Sequence, residues 1–156
     1  EENGATVMPG RAGTTIDLGD GVTLQVLYPG DRWYTDDRNE NSVALRLVYG
    51  DFTLLLTGDA GVEAERDMVA GRLPLDALVF KAGHHGSRTS SNAFFLDEVR
   101  PQIIVVSAGV DNRYGHPHPE VLNRAAGVGA TVLRTDELGT IEVITDGRQM
   151  WWSASR

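Results

Sequence analysis

Cysteine is absent from the chain. That removes disulfides, thiolate nucleophiles and cysteine-bound zinc, and leaves any metal site to histidine, carboxylate and water. Positive charge is scarce, because 14 lysines and arginines against 22 acidic residues give a formal charge of −8. A broad basic face that holds nucleic acid by counterion release is therefore not expected. A nucleic-acid ligand would need local help, from Lys81, Arg88 and Arg113 beside the polar motifs or from bound divalent cations. Long apolar runs are missing too: the longest are strand-like pieces such as Leu54-Leu55-Leu56 and Ile103 to Val106, too short to span a bilayer. Familiar catalytic signatures also fail. G-x-S-x-G breaks at Ser107, where Val105 stands in place of the first glycine, and neither a G-x-x-x-x-G-K-[ST] loop nor H-E-x-x-H occurs.

What is present is 156 residues, 41% hydrophobic and 23% charged, enough for one substantial core. A single domain over residues 1–156 is expected. The opening EENGATV lacks the features of a secretory leader and reads equally as a cut from a longer protein. "TTIDLGDG", "VTLQVLYPG" and "VALRLVYGDFTLLLTGD" predict a β-meander, with a polar loop "DRWYTDDRNENS" inside it and Gly50-Asp51 at a hairpin turn. After Asp59 the period lengthens, and "GVEAERDMVAGRL" predicts a helix ended by Gly71 and Pro74. "DALVFKAG" is a predicted strand, Ser90 and Ser91 are predicted N-caps of a helix "NAFFLDEVR", and "QIIVVSAG" is a predicted buried strand. Pro119 suits the first turn of a helix "PEVLNRAAG", and "TVLRT", "GTIEVITDG" and "QMWWS" close the chain as strands. The fold class expected is α/β (α+β).

Three polar motifs fall at strand ends, each before a helix: "TGD", "GHHGS" and "SAGVDNRYGHPHP". Open α/β sheets gather ligands at the carboxyl ends of their strands, so three loops can share one site. Asp59 reads either as an N-cap for the following helix or as a carboxylate bridging two cations. His84 and His85 are either exposed loop histidines or a divided pair, one imidazole on a metal and the other on substrate. Pro117 and Pro119 stiffen the backbone around His116 and His118. Those histidines either decorate a rigid turn or bind a phosphate and donate a proton, with Arg113 and Tyr114 as further donors. The dinuclear signature H-x-H-x-D-H fails in this stretch, because Glu120 and Val121 replace its last two residues.

Taken in order, "NENSVALRLVYGDFTLLLTGDA", "LVFKAGHHGSRTSS", "RPQIIVVSAGVDNRYGHPHPEVL" and "TDELGTIEV" resemble the C-terminal metallo-β-lactamase-like domain of the ComEC family of competence DNA-uptake channel proteins. The resemblance runs from Asn41 to Asp146. It implies an αββα sandwich, mixed β-sheets flanked by helices, of which this chain is the C-terminal portion. It also implies a metal-dependent hydrolase, a nuclease degrading the strand of DNA that is not transported. Two divalent cations, Mn2+ or Zn2+, would serve the complete domain, with Asp59 as the bridging carboxylate. In the superfamily the last histidine ligand stands directly before a glycine, which favours His85 over His84. His84 would then be its catalytic neighbour, and His116 or His118 would hold the scissile phosphate or protonate the leaving oxygen, with Arg113 and Ser87 as auxiliary donors. The implied partner is DNA, single-stranded, and the implied setting is a soluble domain of an integral bacterial cell-membrane protein on its extracytoplasmic side.

Members capable of hydrolysis carry H-x-H-x-D-H upstream of the segment with which this chain begins, and it is not found here. The resemblance therefore covers roughly the second half of the domain, and the isolated chain is expected to bind metal poorly and to leave DNA intact. A sandwich divided between its sheets exposes an apolar face, so the expectation is either a homodimer through that face or a half whose alternating strands and helices close a core alone. A non-catalytic DNA- or protein-binding module of the channel, or a metallo-hydrolase of another ester or small phosphodiester, are the alternatives on the same scaffold.

Overall fold

In the computed structural model, which describes residues 10–156, the N-terminal third is the expected meander. Strands β1 (Thr15–Gly19), β2 (Val22–Tyr28), β3 (Ala44–Tyr49) and β4 (Phe52–Leu56) pair antiparallel in chain order. Tyr49 lies opposite Phe52, which leaves Gly50-Asp51 as the two-residue turn. Gly50 has φ 56°, and a Cβ there would collide with the carbonyl of Gly147, whose oxygen accepts the Asp51 N–H. From β4 onward the pairing becomes parallel. Strands β5 (Val79–Lys81), β6 (Ile103–Val106) and β7 (Thr131–Arg134) are added one after another. The crossovers between them are α1 (Val62–Ala70), α2 (Ala93–Val99) and α3 (Pro119–Gly127). The result is one seven-stranded mixed sheet whose spatial order is the chain order. A single helical turn, α4 (Thr135–Leu138), then leads to a separate antiparallel hairpin, β8 (Ile141–Thr145) with β9 (Met150–Ala154).

Successive residues of a strand point to opposite faces, and here both faces are apolar. Leu55, Phe80, Ile104 and Val106 pack against Met68 of α1, Phe95 and Leu96 of α2, and Ala125 of α3. Phe80 and Phe95 meet edge to face at 6.0 Å. On the other face Phe52, Val79, Ile103 and Leu133 meet Ile141, Val143 and Met150 of the hairpin. The helices α1 to α3 thus cover one face of the sheet and the hairpin covers part of the other. Beside the hairpin an apolar groove of about 500 Å3 stays open among Leu47, Leu54, Leu56, Val105 and Val143. Ile144, Trp151 and Trp152 are exposed on the hairpin itself.

Helix starts depart from the sequence-based expectation. Ser90 and Ser91 do not cap α2: the N-cap position is Asn92, and it makes no side-chain cap bond of its own. Glu65 of α1 instead accepts the backbone N–H groups of Ser91 and Asn92 and the side-chain amide of Asn92. The Ser90 hydroxyl donates to the Ala60 carbonyl at 2.7 Å. Helix α1 is capped by a distant carboxylate in the same way. Glu40, buried in the polar loop, accepts the N–H groups of Glu63 and Ala64 at 3.4 and 2.7 Å. The segment "TDELG" between the predicted strands "TVLRT" and "GTIEVITDG" is helical over α4, which trims both strands.

Candidate functional site

Because β4, β5 and β6 run parallel, the loops after them leave the sheet at the same edge. They meet in an open cleft of about 420 Å3 lined by Asp59, His84, His85, Asn112, Tyr114 and His116, together with residues 107–109. Since Glu40 caps α1, Asp59 is not needed as a cap. Its backbone N–H is held by the Ser42 hydroxyl at 3.1 Å, and its carboxylate remains about half exposed toward the cleft.

His84 and His85 both adopt left-handed backbone, with φ 47° and 57°. Consecutive non-glycine residues in that region cost on the order of 1–3 kcal/mol each, and such outliers cluster at functional sites. The neighbouring Gly86 answers a steric demand, since a Cβ on it would sit 2.7 Å from the Pro117 side chain. The strained turn is tied to the Asp59 loop by the His84 N–H, which donates to Gly58 O at 3.0 Å. It is tied to the third loop by His85, whose Nδ1 lies 2.8 Å from the Ser107 carbonyl. A carbonyl only accepts, so Nδ1 carries the proton and the lone pair of a neutral His85 is on Nε2. That nitrogen faces Asp59 Oδ1 at 3.9 Å.

The third loop is braced by Asn112, whose amide donates to the carbonyls of Gly109 and His116 while its oxygen accepts the His116 N–H at 3.0 Å. His116 is thereby presented to the cleft, with its ring 5.9 Å from that of His84 and stacked beside Tyr114 at 5.7 Å. Burial lowers its pKa from the ordinary histidine value, and the neighbouring His118, His84 and His85 rings lower it further, so His116 is biased toward the neutral form. His118 stands behind it at 4.8 Å, outside the cleft lining, with Nδ1 accepting the Arg88 N–H at 3.2 Å.

The other candidates lie apart from the cleft. Ser87 is buried, and its hydroxyl pairs with Thr89 at 3.0 Å. Arg113 folds over the Tyr114 ring at 4.7 Å and is not among the lining residues. Lys81 is not among the cleft lining but lines the apolar groove, where burial lowers its pKa against the opposing pull of the Asp59 charge. Arg88 lines a groove that shares Asp59 and His84 with the cleft and is walled by Asp37 and Glu40. The cations near the motifs therefore do not form one basic surface.

No protein-family model matches the chain. It is 42% identical over 126 residues to Competence protein ComA of Neisseria gonorrhoeae, covering 79% of this chain and 18% of that protein. It is 33% identical over 141 residues to ComE operon protein 3 of Bacillus subtilis, covering 90% of this chain and 18% of that protein. The chain is homologous to competence proteins. Recombination protein 2 of Haemophilus influenzae is 32% identical over 123 residues, which is 79% of this chain and 15% of that protein. The chain spans less than a fifth of the length of each of these relatives.

Within this competence homologue, Asp59 and His85 suit a divalent cation in donor chemistry and spacing. Two ligands at about 2.1 Å from one ion stand roughly 3–4 Å apart, depending on the angle between them. The bond from His85 Nδ1 to a carbonyl is the kind of support that metal-bound imidazoles receive. Two donors fall short of a full shell, and among the described residues no group of three or more His, Cys, Asp or Glu side chains is placed to hold a metal ion. Sequence reasoning passed over Ser42 and Glu40 and weighed Ser107 only as a nucleophile, because the roles of all three depend on distant contacts. Asn112 carried a usable signal: an Asx residue between turn-forming neighbours, a few positions before His116.

Proposed function

We propose that this chain forms part of a metal-dependent DNA phosphodiesterase within a longer competence DNA-uptake protein. The observation that carries the reading is the convergence of Asp59 Oδ1 and His85 Nε2 at 3.9 Å, from the ends of two different strands, with His85 Nδ1 turned to the Ser107 carbonyl. The similarity to competence proteins over most of the chain supports DNA as the substrate class. Asp59 and His85 would hold divalent cation, Mn2+ or Zn2+, with the remaining ligands for a two-ion centre supplied by sequence outside this chain. When bound, such cations lower the pKa of water and offset charge on a phosphate undergoing in-line displacement.

The chain's own residues would do the rest. His84, held in its strained turn, and His116, braced by Asn112, present neighbouring imidazoles to the cleft, 5.9 Å apart. A neutral His116 offers one N–H to a phosphate oxygen and one lone pair for a proton in transit. His118 would support this pair from behind, and Arg88 would meet a neighbouring phosphate in the adjoining groove. Ser87 and Arg113 would act as auxiliary donors only after their present partners are released. Among the described residues no helix is long and apolar enough to cross a membrane, so placement as an extracytoplasmic domain of a membrane protein would depend on other parts of that protein.

The test uses the longer protein that carries the upstream segment, single-stranded and duplex oligonucleotides, and Mn2+ or Zn2+. Single-stranded DNA is expected to be cut, and Asp59→Asn and His85→Ala are expected to abolish cutting. Retention of activity by both variants overturns the reading. A non-catalytic DNA-binding module is the second reading, favoured by the incomplete ligand set among the described residues. Its mark would be metal-independent binding of single strands with no cleavage by the longer protein.

A further inference from the structure

Thr135 opens α4, where the backbone leaves the sheet, and the last paired residues of β6 and β7 are Val106 and Arg134. The pairing nevertheless continues through a side chain. Thr135 Oγ1 accepts the Ala108 N–H at 2.9 Å and donates to the Ala108 carbonyl at 2.7 Å. The Ala108 nitrogen and the Ser107 carbonyl belong to one peptide group, which is planar, so fixing the direction of the N–H fixes the direction of the C=O. That carbonyl is the one facing His85 Nδ1 at 2.8 Å. A hydrogen bond at one end of a peptide group also polarises the other and strengthens its carbonyl as an acceptor.

We infer that Thr135 is a positioning residue for the cleft: through the Ser107–Ala108 peptide it fixes both the tautomer and the orientation of the His85 ring. In water a histidine side chain favours the proton on Nε2, the nitrogen that here faces Asp59. The peptide reverses that preference, holds the proton on Nδ1 and leaves the Nε2 lone pair directed at the cleft. The "TDELG" segment, which no other feature of the site uses, thereby acquires a role. This inference takes its functional weight from the metal reading of His85, but the ring lock itself needs no metal.

The experiment is a two-bond proton–nitrogen NMR correlation of the His85 ring in the metal-free chain, at a pH where the imidazole is neutral. Wild type is expected to show the Nδ1-protonated form dominating. Thr135→Val, which removes donor and acceptor while keeping the shape, is expected to shift the tautomer ratio roughly fivefold toward Nε2, about what one ordinary hydrogen bond carries. Thr135→Ser keeps the hydroxyl and is expected to restore the wild-type ratio. An unchanged ratio in folded Thr135→Val, a Ser variant that behaves like Val, or a wild type protonated on Nε2 each overturns the inference. Should the Val variant not fold, hydrogen exchange at the wild-type Ala108 amide decides: protection upholds the lock, and exchange at the free-peptide rate overturns it. A locked His85 in a protein whose nuclease activity survives Asp59→Asn and His85→Ala would sink the metal reading and leave the lock standing.

Discussion

Glu65 on α1 accepts both N–H groups of Asn92, the backbone at 3.0 Å and the side-chain amide at 2.8 Å, and so starts α2 from outside that helix. Burial pushes its carboxyl from the ordinary 4.5 up to about 7, although the donors from Asn92 and Ser91 and the charge of Arg124 pull it down. The pH dependence follows from the sign of this shift. Below about pH 4.5 folded and unfolded chains both hold the proton, and between there and about 7 the folded chain alone holds it. Stability contributed by Glu65 is therefore complete in acid and is lost as pH rises through that window, by on the order of 3 kcal/mol. Denaturant titrations across the window, wild type against Glu65→Gln, should show the decline in the difference between the two proteins. Asp136, held below the usual carboxylate range by its bond to Arg134, acts at lower pH with the opposite sign and cancels in that difference.

Glu40→Ala should cost about 1–2 kcal/mol, the usual penalty for removing a helix N-cap. The Glu63 and Ala64 N–H groups lose their acceptor, and no residue of the Gly61 turn supplies another. Equilibrium unfolding in urea measures the loss, and an unchanged midpoint would show that water replaces the carboxylate at no cost.

Asp59→Asn should be nearly silent in stability, within about 0.5 kcal/mol, because its carboxylate is about half exposed, whereas His85→Ala should cost about 1 kcal/mol, the ordinary worth of the bond between Nδ1 and the Ser107 carbonyl. On the proposed reading, the same changes in the longer protein should lower metal-dependent DNA cleavage by roughly 100-fold or more. Unfolding curves beside nuclease rates separate the two effects. A variant that loses activity together with stability would mark a structural role instead.

Trp151→Ser together with Trp152→Ser should weaken self-association of this chain, because the two indoles and Ile144 are exposed on the hairpin beside an open apolar groove. Sedimentation velocity over a concentration series is the readout. Dimers that persist unchanged in the double variant would remove the hairpin from the contact.

Phe80→Ala should destabilise by about 3–5 kcal/mol, since the ring is fully buried against Phe95 under α2 and its removal leaves a cavity at the centre of the sheet. Thermal or denaturant unfolding checks it.

Much of the framework was legible because its signals are local. Alternation and the Gly50-Asp51 pair fix the meander, and Pro119 does begin α3. The gathering of "TGD", "GHHGS" and "SAGVDNRYGHPHP" at one edge followed from their strand-end positions. What escaped was carried by contacts between residues distant in the chain. Ser90 and Ser91 look like caps, yet a carboxylate from the preceding helix serves α2, and Glu40 in a polar loop settles that Asp59 is no cap. The left-handed turn at His84 and His85 has no periodic signature, since a histidine does not announce positive φ as a glycine does. The same distance dependence hid the line from Thr135 through Ser107 to His85.

The seven strands lie side by side in the order in which they are synthesised. During translation the sheet can therefore grow at one border, each new strand pairing with the one just laid down and none needing to be threaded between earlier neighbours. The loops that build the cleft emerge within this growing sheet, and the hairpin that covers part of its second face follows the seven strands. Until that hairpin docks, Phe52, Val79, Ile103 and Leu133 form a greasy, unshielded back, the stage at which a chaperone would find most to hold.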